Sequence, residues 1–267
     1  MPRAEETEKI ARKLLPIIYV IDTSGSMTGD RISSVNEAMN DTVDVLKEVS
    51  ENNPTAELKV GVLQFDSNAR WVTNGLIFME DYFWNDLEAG GLTTLGAALD
   101  ELDKKLSRSA FLDSEVGYKA PVIIFMSDGY PTDDYEKALK KISAGNKWYK
   151  IATKIAIGVG DDFDADALAK IAGNREAVIK VNDNETLKKL IRVVSVTASM
   201  VGSKSRADES QTGEVLREIS REMKGDPDIV IPEPSPEPDP VPDTGNTDAS
   251  GGGWDTGSSG GWDDDWD

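Results

Sequence analysis

The 267-residue chain contains no cysteine and no histidine. Without cysteine there is no disulfide, no thiolate zinc ligand and no thiol nucleophile. Without histidine there is no imidazole to act as a catalytic acid or base or to bind a metal. Any metal ion that this chain holds must therefore be bound by oxygen atoms, which suits hard cations.

Positive charge and long apolar runs are also scarce. The chain has 29 Lys+Arg against 49 Asp+Glu, a net charge of −20. Such an acidic chain is repelled by nucleic-acid phosphates and anionic lipid headgroups, so we expect neither nucleic acid nor a membrane as a partner. No apolar run approaches the ~20 residues that span a bilayer, and the N-terminus MPRAEETEKIARK lacks the apolar core of a signal peptide. The sequence predicts a cytoplasmic protein.

Apolar residues, at 39%, are sufficient for a core, and they form short runs that alternate with helical patterns. Four runs rich in Val and Ile are nearly continuous, as in strands covered by helices on both faces. These predicted central strands are 14–22, 57–65, 120–128 and 153–160. The segment 69–77 is predicted to pair antiparallel with 57–65 at the sheet edge. The predicted helices are 30–51, 94–108, 134–147, 164–172 and 184–199. The pattern predicts an α/β fold with a doubly wound, mainly parallel central sheet, helices on both faces and one antiparallel edge strand.

The composition changes sharply near residue 200. After an N-terminal extension (1–13) and the α/β domain (14–200), residues 201–225 carry Val215, Leu216, Ile219 and Met223 at helical spacing. They predict an amphipathic helix, marginal by itself, or a linker. Residues 226–242 are a proline-rich spacer, and residues 243–267 are an acidic Gly/Trp/Asp tail. Such a tail is too poor in apolar residues to fold alone, so we expect it to be disordered.

The stretch VIDTSGSMTG places Asp22, Ser24 and Ser26 directly after the first predicted strand. Open α/β sheets bind ligands at the carboxyl ends of their strands. Two further segments reach the same edge: EAGGLTTLGAAL with Thr93, and FMSDG with Asp128. Together they supply two carboxylates and three hydroxyls. Mg²⁺ prefers such oxygen ligands at ~2.0–2.1 Å, and Mn²⁺ or Ca²⁺ are alternatives.

These motifs resemble those of von Willebrand factor type A (VWA) domains. DTSGS matches the family's DxSxS signature, and GLTTLGAAL and MSDG match its threonine and second-aspartate motifs in the same order. The resemblance covers residues 14–200. It implies a metal-ion-dependent adhesion site (MIDAS) with Asp22, Ser24, Ser26, Thr93 and Asp128 as the metal residues. It also implies a non-enzymatic module in which a Glu or Asp of a partner protein completes the coordination of the metal.

Within that family, PIIYVIDTSGSM and GLTTLGAAL look most like the bacterial TerY-like branch. This resemblance implies a tellurite or chemical-stress context, with a kinase and a PP2C-type phosphatase as partners. The proline-rich spacer and the tail match no family pattern.

Structural interpretations compete with the metal site. Ser24 and Ser26 are also typical helix caps, and Asp128 is typical of a turn after a strand. Thr94 competes with Thr93, but Thr93 has the TxxG spacing to Gly96, and Thr94 is expected to cap the helix. The acidic cluster 161–166 lacks EF-hand spacing and is expected to be a helix-capping loop.

Three function classes remain open from the residues alone. A metal-dependent phosphohydrolase lacks an obvious general base, and a scaffold would need only the tail. In that tail Trp254, Trp262 and Trp266 are predicted partner anchors beside a run of aspartates, although the tail would also be long enough to cap its own metal site. We favour the metal-dependent binding module, with the tail docking on a partner as a second contact. The sequence leaves the oligomeric state open.

Overall fold

Five parallel strands form the centre of the protein, in a computed structural model that describes residues 12–204 and 210–232. The strands are β1 (Lys13–Asp22), β2 (Ala56–Phe65), β3 (Ala69–Trp71), β4 (Ile77–Phe78), β5 (Val122–Ser127), β6 (Thr153–Val159), β7 (Val178–Val181) and β8 (Ile229–Val230). The sheet order is β3-β2-β1-β5-β6-β7-β8, with β4 also paired to β2. The pairs of β2, β1, β5, β6 and β7 are all parallel, which confirms the predicted mainly parallel sheet.

Helices cover both faces of this sheet. They are α1 (Asp30–Asn52), α2 (Leu95–Lys105), α3 (Tyr135–Gly145), α4 (Lys147–Ile151), α5 (Ala165–Ala172), α6 (Asn184–Gly202) and α7 (Ser210–Glu222). Odd-numbered β1 residues such as Ile17 and Tyr19 join one apolar cluster with α1, α6 and α7. Ile18 and Val20 join a second cluster with α2, α3 and α5. Burial on both faces explains why the central strands read as continuous apolar runs. Within the described residues, no helix combines the length and the apolarity that a bilayer crossing requires.

The sheet has antiparallel strands at both edges. The segment predicted as one strand over 69–77 is two, β3 and β4, which pair separately with β2. Between them, the Thr73 hydroxyl accepts a hydrogen bond from the Val62 amide at 3.1 Å, and Gly75 adopts a φ of +97°. A side-chain oxygen therefore replaces a backbone partner, and the left-handed glycine interrupts the strand. At the other edge, β8 pairs antiparallel with β7; the sequence pattern predicted neither of these two strands.

The predicted helix 134–147 is also interrupted. Asn146 has an extended backbone (φ −95°, ψ 108°), which ends α3. Its side-chain oxygen accepts hydrogen bonds from the amides of Trp148 and Tyr149, so it caps α4. An asparagine that satisfies these free amides favours a new helix over continuation of the old one.

The acidic loop before α5 behaves as the sequence predicts. In the acidic loop 161–166, the Asp164 carboxylate accepts from the Ala167 amide at 2.9 Å and caps α5. In the aromatic group 82–84, Tyr82 and Trp84 are buried in the core, whereas Phe83 is exposed below the ammonium of Lys47.

Helix α7 is part of the core. The sequence predicts that the domain ends at residue 200 and that the following helix is marginal by itself. In the structure, α6 continues to Gly202, and α7 buries its apolar face against α6 and β6. The buried side chains are Val215, Leu216, Ile219 and Met223. Its few apolar residues are enough because all of them face one existing cluster, and tertiary packing rather than propensity stabilises such a helix.

This packing predicts that Ile219→Ala destabilises the protein by about 2–4 kcal/mol, because a fully buried side chain leaves a cavity. Glu222→Ala, on the exposed side of the same helix, is the matched control and should stay within about 0.5 kcal/mol. Urea unfolding of the two variants measures the difference. Equal stabilities would mean that α7 contributes nothing to the folded domain.

Candidate metal centre

Two buried aspartates lie at the carboxyl edge of the sheet. Asp22 is the last residue of β1, and Asp128 follows Ser127, the last residue of β5. Because β1 and β5 are neighbouring parallel strands, their ends meet at the same edge. Both aspartates are buried, although carboxylates seldom are. Their charge therefore needs partners.

The loop after β1 brings two serine hydroxyls to these carboxylates. The Ser24 amide donates to Asp22 Oδ1 at 2.8 Å, which turns the chain back over the strand end. Ser24 Oγ and Ser26 Oγ lie 3.0 Å apart, and Ser26 Oγ donates to Asp128 Oδ1 at 2.7 Å. Neither hydroxyl caps a helix. Gly29 occupies the N-cap position of α1, and Ser24, at the N-cap position of a short 3-10 helix (Gly25–Met27), makes no side-chain capping hydrogen bond. The chain of contacts thus connects the two aspartates through the serine loop.

Thr93 reaches the same place from the loop before α2. The Gly25 amide donates to the Gly91 carbonyl at 3.0 Å, which joins this loop to the serine loop. Thr93 is buried, and a Cβ at Gly129 would lie 3.4 Å from its Oγ1 and 3.5 Å from Ser26 Oγ. Both hydroxyls therefore border the space that the missing side chain of Gly129 leaves open.

The competing Thr94 is engaged elsewhere. It stands at the N-cap position of α2, but its hydroxyl donates to the Asp66 carbonyl at 2.8 Å instead of capping the helix. The amides of Gly96 and Ala97 donate to the Asp133 carboxylate, each at 3.0 Å. Asp133 therefore performs the capping that the sequence assigns to Thr94. No motif identified Asp133, because this cap comes from a loop 36 to 37 residues farther along the chain.

Burial raises the pKa of the Asp22 carboxyl above its ordinary value. Hydrogen bonds from Ser127 and Ser24 oppose this rise, and the negative charge of Asp128 adds to it. The Ser127 hydroxyl donates to Asp22 Oδ2 at 2.6 Å and is a second contact that the sequence motifs did not identify. Ionisation of Asp22 in the metal-free site thus costs free energy, which a bound cation would offset.

A cation of the chain itself lies against the other aspartate. The Arg31 guanidinium donates through Nη1 to Asp128 Oδ2 and, at 3.3 Å, to the Ser26 carbonyl. The sequence motifs did not identify Arg31. A single arginine in the first turn of an amphipathic helix gives no signal by itself.

The donor set fits a hard divalent ion. Among residues 12–204 and 210–232, no group of three or more acidic side chains is placed to bind a metal. The edge instead offers two carboxylates together with serine and threonine hydroxyls, all of them oxygen donors. The predicted anchors Trp254, Trp262 and Trp266, with the rest of the tail, lie outside the described residues.

Solved structures share this fold. The von Willebrand factor type A protein from Catenulispora acidiphila is 24% identical, over 71% of this chain and 43% of that chain, with a TM-score of 0.51. Proximal thread matrix protein 1 from the mussel byssus, with a zinc-occupied MIDAS motif, is 21% identical over 70% of this chain and 46% of that chain, also with a TM-score of 0.51. The ArnB paralog VWA2 from Sulfolobus acidocaldarius is 19% identical over 69% and 46%, with a TM-score of 0.50.

This chain spans less than half the length of each of those proteins, and the low identities show a common fold only. No curated protein sequence matches it significantly. The sequence profile of the von Willebrand factor type A domain matches residues 17–193, which include all five residues of the candidate metal centre. Since this match covers more than half of the chain, the protein belongs to the von Willebrand factor type A domain family.

Proposed function

We propose that this protein is a non-enzymatic module that binds a partner protein through a divalent metal ion held at the edge described above. The observation that carries the proposal is the convergence of Ser24, Ser26 and Thr93 hydroxyls on one space beside two buried carboxylates. The zinc-occupied MIDAS motif of the mussel protein supports a divalent ion in this family. For this all-oxygen site we infer Mg²⁺, with Mn²⁺ and Ca²⁺ as alternatives.

The site residues would fall into two groups, those that bind the ion and those that balance its charge. The hydroxyls of Ser24, Ser26 and Thr93 would bind the ion, and Asp22 and Asp128 would balance its charge. Ser127 holds the Asp22 carboxylate in place through its 2.6 Å hydrogen bond. When bound, the ion supplies an electrophilic coordination position that a Glu or Asp carboxylate of the partner fills.

The surface around the site suits a protein ligand. Leu92 and Tyr130 are each 57% exposed. Leu92 directly precedes Thr93, and Tyr130 lies two residues after Asp128. Their loops are joined by a 2.8 Å hydrogen bond from the Thr132 amide to the Thr93 carbonyl. Exposed apolar side chains beside a charged site are typical of protein interfaces. A small free anion would gain little from them.

Other functions have less support. Hydrolysis of phosphates would require a general base, and the chain contains no histidine to act as one. A scaffold acting through its tail is favoured only by the tryptophans at 254, 262 and 266, which we propose as a second partner contact. The TerY-like context, with a kinase and a PP2C-type phosphatase as partners, rests on the sequences PIIYVIDTSGSM and GLTTLGAAL. The cytoplasmic location that we propose rests instead on the lack of a long apolar run in the sequence.

The metal site predicts a change in thermal stability. An ion that binds only the folded state at a hundredfold excess over its Kd adds about 2.7 kcal/mol, or roughly 5–10 °C in Tm for a domain of this size. Asp22→Asn should abolish this response to Mg²⁺. It should change the Tm of the metal-free protein little, because removal of a buried charge offsets loss of the Ser127 hydrogen bond, and the amide oxygen can still accept from the Ser24 amide.

Differential scanning fluorimetry with and without Mg²⁺ measures both effects. Asp44→Asn, on the exposed side of α1, is the matched control and should respond to Mg²⁺ like the wild type. An equal response in Asp22→Asn and wild type would exclude this edge as the metal site.

The proposed function also predicts that partner binding requires the metal. Proteins recovered by the immobilised chain from a lysate of its host should be lost in EDTA. Thr93→Ala should raise the metal Kd about tenfold and reduce recovery at limiting Mg²⁺. Thr212→Ala on α7 is the control. Recovery that is insensitive to both EDTA and Thr93→Ala would favour the tail-based scaffold instead.

A further prediction distinguishes partner binding from metal binding. The double variant Leu92→Ser/Tyr130→Ser should reduce partner recovery and leave the Mg²⁺-induced rise in Tm unchanged, since neither side chain belongs to the metal site. Quantitative mass spectrometry of the recovered proteins, together with the melting curves, tests this. Unchanged recovery would place the partner contact elsewhere on the domain.

A further inference from the structure

The Arg31 guanidinium lies between three segments: the serine loop, the end of β5 and the end of β6. It projects from the first turn of α1 and contacts Asp128 at the end of β5 and the carbonyl of Ser26. On its other side lies Gly160, directly after β6, which has a φ of +82°. A Cβ at Gly160 would lie 3.0 Å from Arg31 Nη2 and 3.6 Å from Cζ. The guanidinium therefore fits into room that a side chain at position 160 would reduce.

Arg31 is the charge partner of a buried carboxylate. The Asp128 side chain is fully buried, whereas 38% of the Arg31 side chain is exposed. Other cations pair with other acids, as Lys180 does with Asp161 and Arg70 with Asp66. Among the ion pairs of the described residues, Arg31 is the one cation that contacts either site aspartate. The guanidinium of Arg31 thus compensates negative charge at the site, while part of the side chain is exposed to solvent.

The sum of the charges at the site shows how Arg31 would change the binding of a metal ion and of a carboxylate ligand. Two aspartates and Arg31 sum to one negative charge, so the metal-free site is already partly compensated. A divalent ion brings the sum to one positive charge, and a single carboxylate ligand then brings it to zero. Without Arg31, the metal alone would neutralise the aspartates, and a carboxylate ligand would leave an excess negative charge. The chain as a whole carries a net charge of −20, so a local positive charge matters for an anionic ligand.

We propose that Arg31 is a built-in cation that sets the specificity of the site: it weakens metal binding and strengthens binding of a carboxylate ligand to the metal-loaded site. The inference rests on the proposed function. The positive charge of the guanidinium repels the metal ion and also attracts the carboxylate ligand. Removal of the charge therefore moves the two affinities in opposite directions, which a merely structural arginine would not do.

The test uses the full chain and two probes. Isothermal titration calorimetry gives the Kd for Mn²⁺ alone, and then the Kd of the Mn²⁺-loaded protein for the peptide acetyl-Gly-Glu-Gly-amide, with the Gln peptide as the ligand control. The variants are Arg31→Gln, which keeps hydrogen-bond donors, and Arg31→Lys, which keeps the charge. Arg175→Gln is the matched control, because it changes the net charge equally and breaks only the exposed ion pair with Asp166.

We expect Arg31→Gln to bind Mn²⁺ about tenfold more tightly and the Glu peptide at least about fivefold more weakly. Arg31→Lys should stay within about threefold of the wild type in both, and Arg175→Gln within about twofold. Equal or weaker Mn²⁺ binding by Arg31→Gln, with normal binding by the wild type, would overturn the inference and leave Arg31 as a support for Asp128. A wild-type protein that binds no Mn²⁺ would overturn the proposed function itself, and with it this role of Arg31.

Discussion

The local structure of the site depends on the burial of two carboxylates at one edge of the sheet. Asp22 and Asp128 end neighbouring parallel strands, so their like charges lie close together where little water reaches them. Such an arrangement is unfavourable unless each oxygen has a donor. Ser24, Ser26, Ser127 and Arg31 supply these donors, and each comes from the strand ends or from the segments that follow them. The positions of the serine loop and of the first turn of α1 both follow from this requirement.

The rest of the fold keeps that edge rigid. The central strands are buried between helices on both faces, which limits their movement. The loops of the site are tied to one another by backbone hydrogen bonds, from Gly25 to Gly91 and from Thr132 to Thr93. Asp133 adds a third tie, because its carboxylate holds the first turn of α2. Oxygen ligands held in this way would need little reorganisation to bind an ion, which would favour binding over a site built on free loops.

Under the proposed function, the same edge combines features that would recognise an acidic group of a partner protein. A hard cation would offer a coordination position, Arg31 would add positive charge beside it, and Leu92 and Tyr130 provide exposed apolar contact on adjoining loops. These features matter in a chain of net charge −20, since an acidic partner is otherwise repelled. Local electrostatic complementarity mainly determines specificity and the rate of encounter, whereas burial of apolar side chains contributes much of the affinity. If the proposed function holds, this surface makes a selective contact that depends on whether the metal is bound.

The sequence by itself determined the architecture and pointed to the edge. Continuous Val/Ile runs identify strands buried on both faces, and oxygen-bearing residues directly after two such strands must meet, because parallel neighbours end together. Only the tertiary structure decided the division of 69–77 into two strands, the packing of α7 and the contacts of Ser127, Asp133 and Arg31. Each of these depends on a partner outside the segment itself: Val62 for Thr73, the α6 and β6 surface for α7, Asp128 for Arg31. A local sequence pattern indicates which secondary structure a segment favours and which of its faces is buried. A hydrogen bond between residues about a hundred positions apart forms only once the chain has folded.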